Sequence, residues 1–282
     1  MLNRVRNLAL SSHPGPTLAV TALSALLAAS LGYPVARVLV IALAILLGQL
    51  SIGFSNDWID AARDRATGRT DKPVAQGLVS ISLVRRAAIS TLVVGLAVSI
   101  ALGPQAALCH AVLIVSGWAY NAALKRTPAS VVPFVISFGI LPAVITFAGQ
   151  EGVAPAAWAV VVGAVFGVSI HFTNVLPDLA DDEATDVRGL PHLLGARISG
   201  LIAFAALVVS AVVVLVGPVV ERPGTGVTPS SVVGLLVSLG IAAWGVRLVL
   251  TRQPDRLLFR LVIVSSLVIA AELVLSGTRL TA

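Results

Sequence analysis

Long apolar blocks separated by short polar breaks run the length of the chain, at about 16–32, 35–55, 81–102, 106–121, 130–148, 156–176, 198–220, 231–250 and 257–276. Each is close to the roughly 20 residues that a helix needs to cross the hydrocarbon of a bilayer, so the pattern predicts nine transmembrane helices. The break at Gly103-Pro104-Gln105 matters to this count. Ala87 to Tyr120 as one helix would run about 51 Å at 1.5 Å per residue, far beyond a hydrocarbon layer of about 30 Å. Two helices joined by a tight turn are expected there. Gly and Ala within the blocks suit helices packed closely enough for their backbones to approach. The first 15 residues carry Arg4 and Arg6 but lack the apolar core and cleavage site of a secretory signal, and are expected to form a short tail.

Composition agrees with the pattern. Of 282 residues, 57% are hydrophobic and 11% charged, with mean hydropathy +0.98. So few charges cannot clothe a globule in water, which excludes soluble enzyme classes and leaves a single polytopic membrane domain over 1–282. The one cysteine, Cys109, has no intrachain partner. A net charge of +6 raises the question of nucleic acid, but the arginines are scattered among apolar runs and form no basic stripe.

Those charges orient the bundle. Alternate loops placed with the N-terminal tail collect 16 of the 19 basic residues, and only Arg37, Arg222 and Arg279 fall opposite. The positive-inside rule makes the crowded side cytoplasmic, with the N-terminus on it and, after nine spans, the C-terminus outside. The preference for Arg over Lys and for Ala and Val points to a GC-rich bacterial genome and its cell membrane.

Ten of the 13 acidic residues fall on that same side, nine of them in two segments expected to be cytoplasmic loops after helices 2 and 6. The first, SNDWIDAARDRATGRTDKP, contains Asn56, Asp57, Asp60, Asp64 and Asp71; the second, TNVLPDLADDEATDVRGLPHLLG, contains Asn174, Asp178, Asp181, Asp182, Glu183 and Asp186. N-x3-D-x3-D occurs in both, at Asn56, Asp60, Asp64 and again at Asn174, Asp178, Asp182. Spacings of four and eight put each trio on one helix face if the helix continues past the membrane surface. Carboxylates stacked in this way repel unless cations intervene, and oxygen-only ligands select Mg²⁺, Mn²⁺ or Ca²⁺. Surrounded by Arg69, Lys72, Lys125, Arg126 and Arg188, two facing sets suit a metal-bridged diphosphate.

Three ordered motifs then carry a resemblance to the UbiA superfamily of intramembrane prenyltransferases. N-D-x2-D-x3-D is met by Asn56, Asp57, Asp60 and Asp64; the second motif by Asn174, Asp178 and Asp182; and GWAYNAALKRTP is similar to the family's Y-x3-L-K-R through Tyr120, Leu124, Lys125 and Arg126. The resemblance implies an all-α bundle of nine membrane helices that uses Mg²⁺ to ionise a prenyl diphosphate. The prenyl group passes to an aromatic or other lipophilic acceptor, as in quinone synthesis or specialised metabolism. It implies Asp57, Asp60, Asp64, Asp178 and Asp182 as metal ligands, and Asp60, Asp64, Asp178, Asp182, Tyr120 and Lys125 as the catalytic set. Asn56, Lys72, Lys125, Arg126, Asn174 and Arg188 would bind the donor, whose tail would lie in a cavity open laterally to lipid.

Departures and alternatives accompany this assignment. After the second motif the chain has Asp186, Arg188 and Leu190 where Gly, a basic residue and Thr are common in the family. His192 is expected to be a loop residue, His110 a neutral imidazole bonded between helices, and Glu272 remote from the chemistry. Phe54, Trp58, Trp118, Tyr120, Phe134, Phe138 and Phe172 fit a prenyl tunnel or ordinary packing equally. A membrane terpene cyclase of the same fold would share the donor motifs, as would relatives that handle phosphoribose. A CDP-alcohol phosphotransferase needs D-G-x2-A-R, and Ala61 after Asp60 breaks it. An ion transporter or channel would place its acids near the bilayer midplane rather than at helix ends.

Overall fold

The computed structural model describes residues 2–176, 179, 187–251 and 256–282. Among these it is helical, and its only β pairing is an isolated bridge between Pro155 and Thr281. The helices are α1 (Leu2–Leu10), α2 (Pro14–Ser30), α3 (Val35–Ala66), α4 (Ile81–Ile100), α5 (Pro104–Ala122), α6 (Val132–Phe147), α7 (Ala157–Val175), α8 (Leu190–Glu221), α9 (Pro229–Thr251) and α10 (Arg256–Ser276). Short 3₁₀ turns cover Leu124–Arg126, Pro128–Val131 and Gly277–Leu280. All nine apolar blocks lie on helices. Seven helical segments are long and apolar enough to cross a membrane, against nine expected: α2 has 17 residues, and α5, which carries Gln105, His110 and Asn121, is not among the seven.

Two boundaries differ from the sequence pattern. The first acidic motif is not in a loop. The helix α3 runs 32 residues, about 48 Å at 1.5 Å per residue, so its last third projects beyond an apolar slab of about 30 Å and carries Asn56, Asp57, Asp60 and Asp64 with it. The stretch DAARDRA contains good helix formers and no breaker, and the helix stops only ahead of Gly68. The second difference is LPHLLG, expected as loop: it is helical and runs into α8 across a kink at Gly195, where φ is 76°. The turn between α4 and α5 falls at Gly103 and Pro104 as expected.

Helix packing closes a ring. The partners α2–α3, α3–α5, α5–α6, α6–α7, α7–α10 and α10–α2 surround the centre, while α4 lies outside against α3 and α5, α8 packs on α7 and α10, and α9 on α8 and α10. Phe172, Phe204, Leu207, Ile41, Ile145 and Ile269 are fully buried in the principal core. Large apolar side chains such as Leu39, Val93, Val115, Leu236 and Leu267 face outward, as lipid contact requires. His110 is buried between α4 and α5, its Nδ1 2.5 Å from Ser99 Oγ.

One end of the ring is laced shut. Arg37 donates from Nη1 and Nη2 to the carbonyls of Ala101 (2.9 Å) and Leu102 (3.0 Å) and from Nε to Ala148 (2.5 Å), tying α3 to the ends of α4 and α6. Arg222 donates to the Thr281 carbonyl and Arg279 to that of Gly226, while Glu221 accepts from the Ala157 and Trp158 amides that begin α7. These are the three arginines that the charge count sets apart from the sixteen other basic residues. Arg37 satisfies carbonyls that helix ends leave without partners, while Arg222 and Arg279 tie loop and terminal carbonyls together.

Candidate active site

The opposite end is open and polar. Residues 49, 52, 53, 56, 60 and 63 of α3 form one stripe at helical spacing, and Gln49, Ile52, Gly53, Asn56, Asp60 and Arg63 all line a cavity of about 450 Å³. Tyr120 and Asn121 from the end of α5, Lys125 and Ser130 from the 3₁₀ turns, Phe134 and Phe138 from α6, and His171 and Asn174 from α7 complete much of the wall. Ser12 and His13 reach it from the α1–α2 junction, Lys72 from the loop after α3, and His192 from α8.

The carboxylates of the first motif are buried and balanced by cations. Asp57, Asp60 and Asp64 are each at most 2% exposed, so leaving them without partners would be costly. Lys72 is the hub: its Nζ lies 2.9 Å from Asp64 Oδ2, 3.2 Å from Asp57 Oδ1 and 3.1 Å from Asn56 Oδ1. Arg63 Nη2 spans Asp60 Oδ2 at 3.2 Å and Asp64 Oδ1 at 3.3 Å, and Lys125 Nζ bonds Asp60 Oδ1 directly. Three carboxylates thus face three basic side chains. His13 Nε2, 3.0 Å from Asp57 Oδ1, adds a fourth partner.

The two lysines respond differently to this setting. Burial pulls Lys72 down, but Asp57 and Asp64 outweigh it and hold the ammonium above its ordinary pKa. For Lys125 burial prevails over Asp60, with Arg63 and Lys72 adding repulsion, and the pKa falls below its ordinary value. At the rim Asp71 sits at about 2, because the Arg69 guanidinium grips both its oxygens at 2.8 Å.

Close approach makes the His13 contact possible. A Cβ added at Gly53 would lie 2.2 Å from the Ser12 carbonyl oxygen, so only glycine lets the α1–α2 junction pack onto α3 one residue before His13. His13 itself has φ 53°, the one non-glycine residue with positive φ among the described residues. Asn121 anchors the other flank, donating to the Ile52 carbonyl (2.9 Å) and Ser55 Oγ (2.8 Å) and accepting from Asn56 Nδ2 (3.1 Å). Neither His13 nor Asn121 was among the expected site residues. Asn121 had a sequence signal, an amide ending an apolar block beside Tyr120; His13 had none.

The structure brings together Asn56, Asp57, Asp60, Asp64, Lys72, Tyr120 and Lys125, and places Asn174 on the cavity wall. Arg126 and Arg188 are exposed and do not line the cavity. Asp178, Asp181, Asp182, Glu183 and Asp186 lie outside the described residues. Of the aromatic residues, Tyr120, Phe134 and Phe138 face the cavity, with Tyr120 edge-on to Phe134 at 5.0 Å. Phe54, Trp58 and Trp118 instead pack a second core around Val74, Val79 and Val84, and Phe172 belongs to the principal core. His171 accompanies Ser130, whose Oγ lies 3.1 Å from its Nε2 and accepts from the Leu190 amide.

Among the described residues no three His, Cys, Asp or Glu side chains are arranged to hold a metal ion. The chemistry of the donors nevertheless fits Mg²⁺: the buried acids offer oxygen alone, beside a cavity with room for phosphate and water to complete the shell.

Apolar helices of membrane-spanning length around a cavity with a charged mouth define a polytopic membrane protein. The UbiA prenyltransferase family matches over residues 17–265, and the chain belongs to that family. No curated protein matches the sequence significantly. Among solved structures, a UbiA homologue from Aeropyrum pernix K1 aligns with TM-score 0.70 at 18% identity, over 93% of this chain and 98% of that one. A UbiA homologue from Archaeoglobus fulgidus bound to GPP and Mg²⁺ aligns with TM-score 0.69 at 13% identity, over 96% and 99%. A digeranylgeranylglyceryl phosphate synthase aligns with TM-score 0.68 at 14% identity, over 98% and 99%.

Proposed function

We propose that the chain is a Mg²⁺-dependent intramembrane prenyltransferase that ionises a prenyl diphosphate and passes the prenyl group to an aromatic or other lipophilic acceptor. The observation that carries this is the abrupt change along one cavity, from Asp60, Lys72 and Lys125 at the mouth to Tyr120, Phe134 and Phe138 within. An anionic head and a hydrocarbon tail need that sequence of surroundings. The A. fulgidus homologue holds GPP with Mg²⁺ on the same fold.

Asp57, Asp60 and Asp64 would hold the metal, with Asp178 and Asp182 supplying the matching set from the second acidic segment. Mg²⁺ there would stabilise the charge that gathers on the departing diphosphate. Lys72 and Lys125 are placed to take diphosphate oxygens, with Asn56 and Asn174 beside them and Arg126 and Arg188 further out. The C–O bond breaks with its electron pair going to the diphosphate. Tyr120 and Phe134 offer π faces to the allylic cation. The acceptor forms the new bond and releases a proton, and its orientation against the cation supplies much of the rate. Arg63 and Arg69 at the mouth suit an anionic acceptor such as an aromatic carboxylate.

Cytoplasmic placement of this end follows from the loop charges. The test is diphosphate release by purified protein in detergent, given geranyl, farnesyl or geranylgeranyl diphosphate, with hydroxybenzoate, dihydroxynaphthoate, homogentisate or glycerol phosphate added. Release should stay near background until an acceptor is present and stop in EDTA. Rapid acceptor-free release with a cyclic hydrocarbon product would make the chain a terpene cyclase. Activity undiminished in EDTA would remove the metal.

A further inference from the structure

The cavity is polar only at its mouth. Inward it meets an apolar extension of about 110 Å³ walled by Leu113, Gly117, Pro133, Ser137 and Leu141. Beyond that, a hollow of about 20 Å³ lies among Leu23, Leu27, Phe166 and Leu273. Among the described residues, Phe138 alone borders the cavity, the extension and the hollow. Phe138, with Leu141 beside it, stands between the space continuous with the mouth and the hollow beyond.

The partition is held rigidly. Phe138 stands edge-on to Phe166 of α7, with centroids 5.6 Å apart at 73°. Its backbone cannot retreat either, because α7 presses on it: a Cβ at Gly163 would fall 2.2 Å from the Phe138 carbonyl oxygen. On the facing helix the amide of Gln49 lines both the cavity and the extension. An amide at that depth gives hydrocarbon a poorer surface than the aliphatic wall around it. Gln49 precedes Asp60 by 11 residues, which along α3 is a depth of about 16 Å. An extended farnesyl chain is about that long, and geranylgeranyl exceeds it.

We propose that Phe138 is the floor of the donor's tail chamber and restricts the prenyl chain to geranyl or farnesyl length. This deepens the transferase reading and rests on it. A chain one isoprene unit too long must displace a packed ring or bend back on itself. In a hydrophobic pocket even one methylene changes discrimination by about tenfold or more.

The experiment is equilibrium binding of geranyl, farnesyl, geranylgeranyl and inorganic diphosphate in detergent with Mg²⁺, to wild type, Phe138→Ala and Phe138→Trp. Wild type should bind geranylgeranyl diphosphate at least about tenfold more weakly than the best shorter donor. Phe138→Ala should close that gap while inorganic diphosphate binds unchanged, and Phe138→Trp should move the preference toward geranyl. Wild type binding geranylgeranyl as tightly as farnesyl would mean that the tail leaves sideways into lipid, and would overturn the proposal. So would an unchanged length preference in both variants. Failure of inorganic diphosphate to bind wild type would instead sink the transferase reading, and this inference with it.

Discussion

Replacing Lys72 with methionine removes the hub of the buried charge cluster while keeping most of its volume. Its ammonium lies within 3.2 Å of Asn56, Asp57 and Asp64, and the residue is 9% exposed, so solvent screens these contacts little. Removing one partner of a buried ion pair costs about 3–5 kcal/mol, chiefly because the remaining charge is stranded. Two carboxylates lose a partner here, but neither is left alone: Asp57 keeps His13 and Asp64 keeps Arg63. The low end, about 3 kcal/mol, is therefore expected in metal-free protein. The excess negative charge should also make the variant gain more from Mg²⁺ than wild type does, since a dication replaces the lost cation. Thermal unfolding in detergent, with EDTA and with a Mg²⁺ titration, measures both effects. Lys72→Met should melt well below wild type in EDTA and recover part of the difference in Mg²⁺. Lys125→Met should lose less, because Lys125 faces one carboxylate against the repulsion of two cations. Equal melting of wild type and Lys72→Met in EDTA would refute the account of the cluster as a balanced buried network.

Asp60→Asn and Asp64→Asn keep side-chain shape and remove a charged oxygen donor; each should abolish prenyl transfer in protein that remains folded, and full turnover by either would exclude it as a ligand. Gly53→Ala pushes a Cβ against the Ser12 carbonyl and should move His13 away from Asp57. A raised KM for the donor with kcat less affected is the expected signature, and unchanged kinetics would mean that the α1–α2 junction has no part in the site. Cysteines at Thr67 and Thr225 in a Cys109→Ala background should label from opposite sides of the membrane, Thr67 from the cytoplasm; labelling from one side would contradict the two-ended bundle.

The sequence by itself determined the helical class, the tight turn at Gly103-Pro104, and the shared face of the first acidic motif, because these depend on local properties. A run of apolar residues must satisfy its backbone internally once in lipid, and a helix does so within the segment. Gly103-Pro104 ends one helix and begins another through its own dihedral preferences. Spacing of four places Asn56, Asp60 and Asp64 on one face wherever the helix lies. Arg37, Arg222 and Arg279, counted apart from the sixteen other basic residues, lie together at the end of the ring that their hydrogen bonds close.

Only the tertiary structure decided which groups meet. Nothing local in the sequence brings His13 to Asp57 across 44 positions, or Lys125 to Asp60 across 65; the first needs the bare backbone of Gly53 and the second the packing of α5 on α3. Lys125 and Arg126 are neighbours in one motif, yet the 3₁₀ turn buries the first and exposes the second. The aromatic residues divide for the same reason: helical phase relative to the ring sends Tyr120, Phe134 and Phe138 inward and Trp58 and Trp118 into a side core. Periodicity reports that a helix has an apolar face, but in a membrane nearly every face is apolar, and only packing distinguishes the wall of a cavity from the surface that meets lipid.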